Sequence, residues 1–323
     1  MTAVLALAAC AGEEPRSAPA PTGASTPATP TEDPTAALVL DQDFPDPDVL
    51  RAGDEWYAYA TQPADNSANV SMARSADLMT WEPAAKDPLP RLPAWATNGR
   101  TWAPDVSAVK RGFVMYFTAR SVTPDLQCIG VATGTRPAGP FRPVGRKPLV
   151  CPEKQGGAID PASFVDTDGT RYLLWKNDGN CCGKDTWLHL QKMSADGTRV
   201  AGPARRLVKQ DLPWEGDLVE APTLVRRGSS YVLFYSANSY AGEQYATGYA
   251  VADRIEGPYR KSPEPLMTTD AVGVIGPGGQ DVVTAQDGST RIVFHGWDEA
   301  VVKRGMYVAP LRWEGMRPVA EGP

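Results

Sequence analysis

DPDVLRAGDEWYAYAT, residues 46–61, reads as a β-hairpin. A short strand opens it, Gly53-Asp54 supplies the turn, and an aromatic-rich strand closes it. The pattern returns four times: APDVSAVKRGFVMYFTA from Ala103, DPASFVDTDGTRYLLWK from Asp160, EAPTLVRRGSSYVLFYS from Glu220 and GQDVVTAQDGSTRIVFHG from Gly279. Starting points recur about every 55–60 residues, the spacing of propeller blades with loops. Arg111-Gly112, Asp168-Gly169, Gly228-Ser229 and Asp287-Gly288 supply the later turns. The second strands are dense in Tyr, Phe, Trp, Leu and Val. Such runs imply burial on both faces, which stacked blades provide.

A third strand follows in each unit: NVSMARS, QCIGVAT, TWLHLQKM, TGYAVAD and GMYVAPLRW. Most then lead to a Trp or a Gly-Pro-aromatic element, as at Trp81, Gly139-Pro140-Phe141 and Gly257-Pro258-Tyr259. No useful length of helical periodicity interrupts them. The fold class expected is all-β, a five-bladed β-propeller, with the first strand of each blade facing the channel.

Outside the repeats the chain changes character. Residues 1–36 are expected to be a lipoprotein-type signal remnant and linker, residues 37–318 the propeller and residues 319–323 a tail. Leu7-Ala8-Ala9-Cys10 resembles a bacterial lipobox, whose Cys is lipidated after cleavage. The apolar stretch is too short to span a bilayer and lacks a basic n-region, which suggests a start further upstream. Residues 11–36, rich in Pro, Ala, Thr and Ser, cannot bury a core and read as an extended linker. The location expected is outside the cytoplasm, secreted or held at the cell surface through Cys10. In an exported chain the remaining even number of cysteines favours disulfides. Cys128 is expected to pair with Cys151; the state of adjacent Cys181 and Cys182 stays open.

Composition removes several function classes. The net charge of −6 and the lack of any Lys/Arg block give no steering toward nucleic acid. Only His189 and His295 are present, and no G-x-S-x-G motif accompanies them, so a Ser-His-Asp hydrolase has little to draw on. A His-rich zinc site is nearly excluded, and phosphate-binding glycine motifs are absent. Carboxylates must then carry any acid–base work, on a neutral substrate. Asp46, Asp160 and Glu220 head the first strands of the first, third and fourth units. Propeller symmetry brings such positions to one channel mouth. Like charges that close cannot all ionise freely, so at least one pKa must rise. That is what a general acid facing a general base requires.

These motifs, in order and at blade spacing, resemble glycoside hydrolase family 43 from about Phe44 to Trp313. FPDPDVL resembles the first-blade motif, whose aspartate, here Asp46, is the general base. TWAPDV resembles the second-blade motif. GGAIDPASFVDTDGTRYLLWK resembles the third-blade motif, whose aspartate, here Asp160, orients the acid and modulates its acidity. LVEAPTLV resembles the fourth-blade motif, whose glutamate, here Glu220, is the general acid. The chain departs at Gly276-Pro277-Gly278-Gly279, where the family often ends in His. The resemblance makes His295 a channel residue beside a bound ion or water, and Arg304 a neighbour of the substrate carboxylates. It implies no required cofactor, with a structural calcium or other ion as the one candidate. Trp102, Trp95 and Trp214 are the stacking candidates for a sugar face.

The resemblance further implies inversion, with the acid and base about 6.5–9.5 Å apart. Substrates would be α-L-arabinofuranosides or β-xylosides of plant cell-wall polysaccharide, taken by a monomer. The alternatives are a non-catalytic carbohydrate-binding propeller and a retaining fructan- or sucrose-cleaving one.

Overall fold

The computed structural model describes residues 36–320. The lipobox at Cys10 and nearly all of the expected linker lie outside the described residues. β1 (Ala37–Leu40) precedes the first blade. The first blade is β2 (Asp48–Ala52), β3 (Glu55–Ala60), β4 (Ser71–Ser75) and β5 (Trp81–Pro83). The second is β6 (Ala96–Val109), β7 (Gly112–Ser121), β8 (Gln127–Gly134) and β9 (Arg142–Pro143). The third is β10 (Ala158–Val165), β11 (Arg171–Asn177), β12 (Trp187–Lys192) and β13 (Arg205–Lys209). The fourth is β14 (Val219–Arg227), β15 (Ser230–Ala237), β16 (Ala246–Ala252) and β17 (Arg260–Lys261). The fifth contains β18 (Ile275–Thr284), β19 (Thr290–Trp297) and β20 (Arg304–Glu314). Each sheet is an antiparallel meander, so the chain is an all-β, five-bladed β-propeller.

The fifth blade borrows its outer strand. β1 pairs antiparallel with β20 through Ala37↔Val308 and Leu38↔Tyr307, so the start of the domain closes its last blade. Repeat counting does not show this, because β1 carries no repeat signal. β21 (Arg317–Ala320) also pairs with β20. The sheet therefore runs past the boundary expected at residue 318 and takes in Val319 and Ala320.

Alternation along the central strands explains the cohesion. Successive side chains of a strand point to opposite faces. Trp56 and Ala58 of β3 pack toward the fifth blade with Val283 and Val293, whereas Tyr57 and Tyr59 pack toward the second with Met115 and Phe117. Val114 and Tyr116 of β7 turn to the third blade and meet Leu173 and Trp175. Leu174 meets Leu233 and Tyr235 of the fourth, whose Val232 and Phe234 meet Ile292 and Phe294 of the fifth. One apolar layer thus lies between each neighbouring pair of blades. That is why the second strands read as unbroken apolar runs.

Cys128 at the start of β8 and Cys151 lie with Cα atoms 4.8 Å apart and sulfurs at bonding distance. Cys181 and Cys182, in the loop between β11 and β12, also bring their sulfurs to disulfide distance.

Candidate active site

The first strands enter the channel through one backbone device. Asp46, Ala103, Asp160, Ala221 and Gly279 have φ of 55°, 41°, 52°, 47° and 57°. These are the repeat-equivalent positions, one per blade, and four of them precede Pro. Left-handed backbone is costly for most side chains, so each must be held. In four blades the N–H of this residue donates to a side chain on, or just past the end of, the central strand of the preceding blade. Ala103 reaches Thr61 Oγ1 at 2.9 Å, Asp160 reaches Thr118 Oγ1 at 3.2 Å, Gly279 reaches Ser236 Oγ at 2.9 Å, and Asp46 reaches His295 Nδ1 at 2.9 Å. The fifth contact differs. The central strand of the third blade offers Lys176, which has donors and no acceptor. Ala221 N–H turns instead to Asp160 Oδ2, at 3.0 Å.

This ring corrects one sequence expectation. Asp46 and Asp160 do occupy equivalent positions, but Glu220 does not. The residue equivalent to them is Ala221, and Glu220 stands one place earlier, where the second blade has Trp102. The Pro marks the phase in the first four blades, and counting from the acid shifts it by one residue in the fourth.

Asp46, Asp160 and Glu220 nevertheless line one cavity of about 450 Å³, together with Thr61, Trp102 and Arg304. Asp46 Oδ2 accepts the Thr61 hydroxyl at 2.7 Å, and Oδ1 lies 3.4 Å from His295 Nδ1, which already accepts the Asp46 N–H and so donates nothing to it. Glu220 is 8 % exposed. Its Oε2 accepts from Lys176 Nζ and its Oε1 from the Tyr245 hydroxyl, both at 2.9 Å. The pKa that rises is that of Asp160. Burial pushes it well above the ordinary carboxylate value, and the charges of Glu220 and Asp46 push it further, against Lys176. Burial alone would drive the Lys176 ammonium down, but Glu220, Asp160 and Asp178 outweigh it and its pKa is raised. Burial also holds Tyr245 as a neutral phenol, well above its ordinary value.

His295 is fully buried, and desolvation followed by the Arg304 charge holds its pKa well below the ordinary value. Because Nδ1 accepts the Asp46 N–H, the neutral ring carries its proton on Nε2. A metal-bound imidazole does the reverse, donating through the nitrogen that is not bound. In this arrangement His295 does not fit an ion. Among the described residues no group of three or more His, Cys, Asp and Glu side chains is placed to hold one. The Gly279 departure also has a physical reason. A Cβ there would lie 2.5 Å from His295 Nδ1 and 2.8 Å from Asp46 Oδ1.

Trp102 and Arg304 reach the cavity, but Trp95 and Trp214 do not. Trp95 is buried and stacks on Phe117, with Gly130 making room for it. Trp214 stacks on Tyr235 over Gly248. The cavity wall also holds residues not singled out in the sequence: Tyr240, half exposed, with the Arg304 guanidinium 5.0 Å from its ring centroid, and buried Gln127, whose amide atoms have no hydrogen-bond partner among the described residues. Lys176 had a legible signal, a charge closing the apolar run Tyr172–Trp175 in a central strand.

Deeper in the channel, a second ring sews the blades together. Val49 N–H donates to Asp281, Val106 N–H to Asp48 and Ser163 N–H to Asp105, at 2.8–2.9 Å. Burial raises all three carboxyls from 3.8, Asp105 and Asp281 to about 6 and Asp48 well above. A raised folded-state pKa gives stability that is complete below about pH 3.8 and lost as pH rises through about 6. Asp281→Asn removes the charge and keeps an acceptor for Val49 N–H, but gives up the one that Oδ1 offers Val282 N–H. Its effect on stability is therefore expected to be more favourable at pH 7 than near pH 3.5, by about 1–3 kcal/mol. Melting curves of both proteins across pH 3.5–7.5 check this; a constant difference across that range would contradict it.

Comparison with known proteins bears on the fold and the family. The family model described as "Glycosyl hydrolases family 43" matches residues 36–316. The chain is 26 % identical to an extracellular exo-α-(1→5)-L-arabinofuranosidase of Cellvibrio japonicus, covering 84 % of each chain. It is 25 % identical to an extracellular endo-α-(1→5)-L-arabinanase of Bacillus subtilis, covering 78 % of this chain and 80 % of that one. The crystal structure of a thermostable family-43 glycoside hydrolase superposes with a TM-score of 0.77 at 27 % identity, covering 91 % of this chain and 96 % of the other.

Proposed function

Because the chain belongs to glycosyl hydrolase family 43 and is a glycoside hydrolase, we propose that it cleaves pentose glycans of plant cell walls with inversion. α-L-Arabinofuranosidic linkages come first, β-xylosidic ones second. The observation that carries this reading is the pairing of two differently equipped carboxylates across one cavity. Asp46 keeps an oxygen open for a water and has no cationic side chain bonded to it. Glu220 is buried among donors, with Asp160 beside it.

In this reading Asp46 takes a proton from a water as its oxygen bonds the anomeric carbon. Glu220 gives a proton to the departing glycosidic oxygen on the opposite face. Asp160, held by the Ala221 N–H, keeps Glu220 company as a carboxyl that resists ionising. Trp102, Tyr240 and Arg304 form the sugar-facing wall. The named relatives that act on α-(1→5)-arabinan support the substrate order, and their extracellular location supports export. Export in turn supports the Cys128–Cys151 disulfide and attachment through Cys10.

The test is a panel of aryl α-L-arabinofuranoside, aryl β-D-xyloside and sucrose, with proton NMR of the first product formed. Arabinofuranoside is expected to turn over fastest, sucrose not at all, and the first hemiacetal to carry the inverted configuration. A retained first product would overturn the inverting reading, and preferred cleavage of sucrose would overturn the substrate class.

A further inference from the structure

We infer that Lys176 is a positioning residue for the acid: its buried ammonium fixes which oxygen of Glu220 carries the proton and balances the charge left when that proton departs. The inference rests on the reading of Glu220 as the acid.

The fold itself does not ask for a lysine here. At the same place along the central strands, or just past the end in the first blade, the others carry Thr61, Thr118, Ser236 and His295, and each accepts the neighbouring backbone N–H. Lysine cannot accept, and Ala221 N–H has to be rescued by Asp160. Lys176 is also fully buried, where an ammonium costs several kcal/mol to desolvate. A small hydroxyl residue would have served the ring better. What lysine adds is a charge, 2.9 Å from Glu220 Oε2 and 3.9 Å from Asp178 Oδ1.

The geometry then assigns the proton. Oε2 faces a group with donors only, so a hydrogen placed there would find no acceptor in its partner and would crowd the ammonium. The Tyr245 hydroxyl at Oε1 both donates and accepts. The transferable proton therefore rides on Oε1. Around Lys176 stand Glu220, Asp160 and Asp178; Asp46 stands across the cavity, Tyr245 is neutral, and Arg120 and Arg304 lie farther along the wall. During the reaction the Glu220 O–H bond and the glycosidic C–O bond break. The proton joins the leaving oxygen, and the new carboxylate remains bonded to Lys176. Asp46 meanwhile holds the proton taken from water, and solvent returns both groups to their starting states.

Lys176→Met and Lys176→Gln test this, with full pH profiles of kcat/KM on an arabino-oligosaccharide and on an aryl arabinofuranoside of an acidic phenol. An opposite charge this close moves a titration by about one to three pH units. Both variants should extend activity on the alkaline side by that amount. On the oligosaccharide kcat should fall about tenfold or more, with KM little changed, while the aryl substrate is spared. Lys176→Gln retains a donor without the charge, so it should shift the limb as Met does, and it decides the matter if the Met variant does not fold. An alkaline limb that stays in place, with equal losses on both substrates, would make Lys176 merely structural. That result is distinguishable from a wrong acid. If Glu220→Ala shows no dependence on the leaving group, the assignment of Glu220 falls first.

Discussion

Asp46→Ala is expected to lose about two to four orders of magnitude in kcat on every glycoside the protein hydrolyses, whatever the leaving group. A water attacking the anomeric carbon must shed a proton, and a better leaving group does not relieve that need. The backbone should tolerate the change. Ala103 and Ala221 already sit at the equivalent left-handed positions, with φ of 41° and 47°, and the Asp46 N–H contact to His295 uses no side-chain atom of Asp46. What disappears is the acceptor for the Thr61 hydroxyl at 2.7 Å and the oxygen beside it. Asp46→Asn adds a control, because Asn enters left-handed backbone readily and keeps the size. Steady-state kinetics across aryl arabinofuranosides of graded phenol acidity measure the loss. Azide, which attacks without deprotonation, should restore turnover and yield a glycosyl azide. Near wild-type kcat in a folded Asp46→Ala protein would remove Asp46 from the chemistry.

The parts of this site differ in how openly the chain displays them. The hairpins are legible because stacked blades bury both faces of each central strand, leaving an apolar run such as Tyr231–Tyr235 that needs no partner to be recognised. Asp46 and Asp160 are legible because a residue before Pro recurs at the head of the first strand in four of the five blades. Glu220 is legible as an acid but not in phase, since its side chain leaves the strand one residue earlier. The closing strand Ala37–Leu40 is hidden because its partner, Met306–Val308, lies at the far end of the chain and no repeat links them. Trp95 and Trp214 fail as sugar platforms for a related reason. Whether a loop tryptophan faces a cavity or a neighbouring ring depends on who stands opposite, here Phe117 and Tyr235. Lys176 shows the opposite case, a local misfit that marks function. A charge at the end of a buried strand contradicts its own pattern, and such contradictions collect at sites where chemistry outweighs stability.

Glu220→Ala should divide substrates that Asp46→Ala treats alike. Protonation matters most when the leaving oxygen is a poor anion, so turnover of arabino-oligosaccharide should drop about 10²–10⁴-fold. An aryl substrate with an acidic phenol departs unaided and should keep most of its rate. Stability must be followed in parallel. Removing Glu220 leaves the buried Lys176 ammonium with Asp178, 3.9 Å away, as its remaining ion-pair partner among the described residues, and breaking a buried pair typically costs about 3–5 kcal/mol. Glu220→Gln keeps acceptors and size while lacking a transferable acidic proton. It should therefore show the same division between substrates with a smaller loss of melting temperature. The deciding quantity is the ratio of kcat/KM on activated and unactivated substrates for each variant. A ratio that rises for Glu220→Gln and stays flat for Asp46→Asn assigns acid and base as proposed. The opposite pattern exchanges the two roles, since only the proton donor's absence can be compensated by the leaving group.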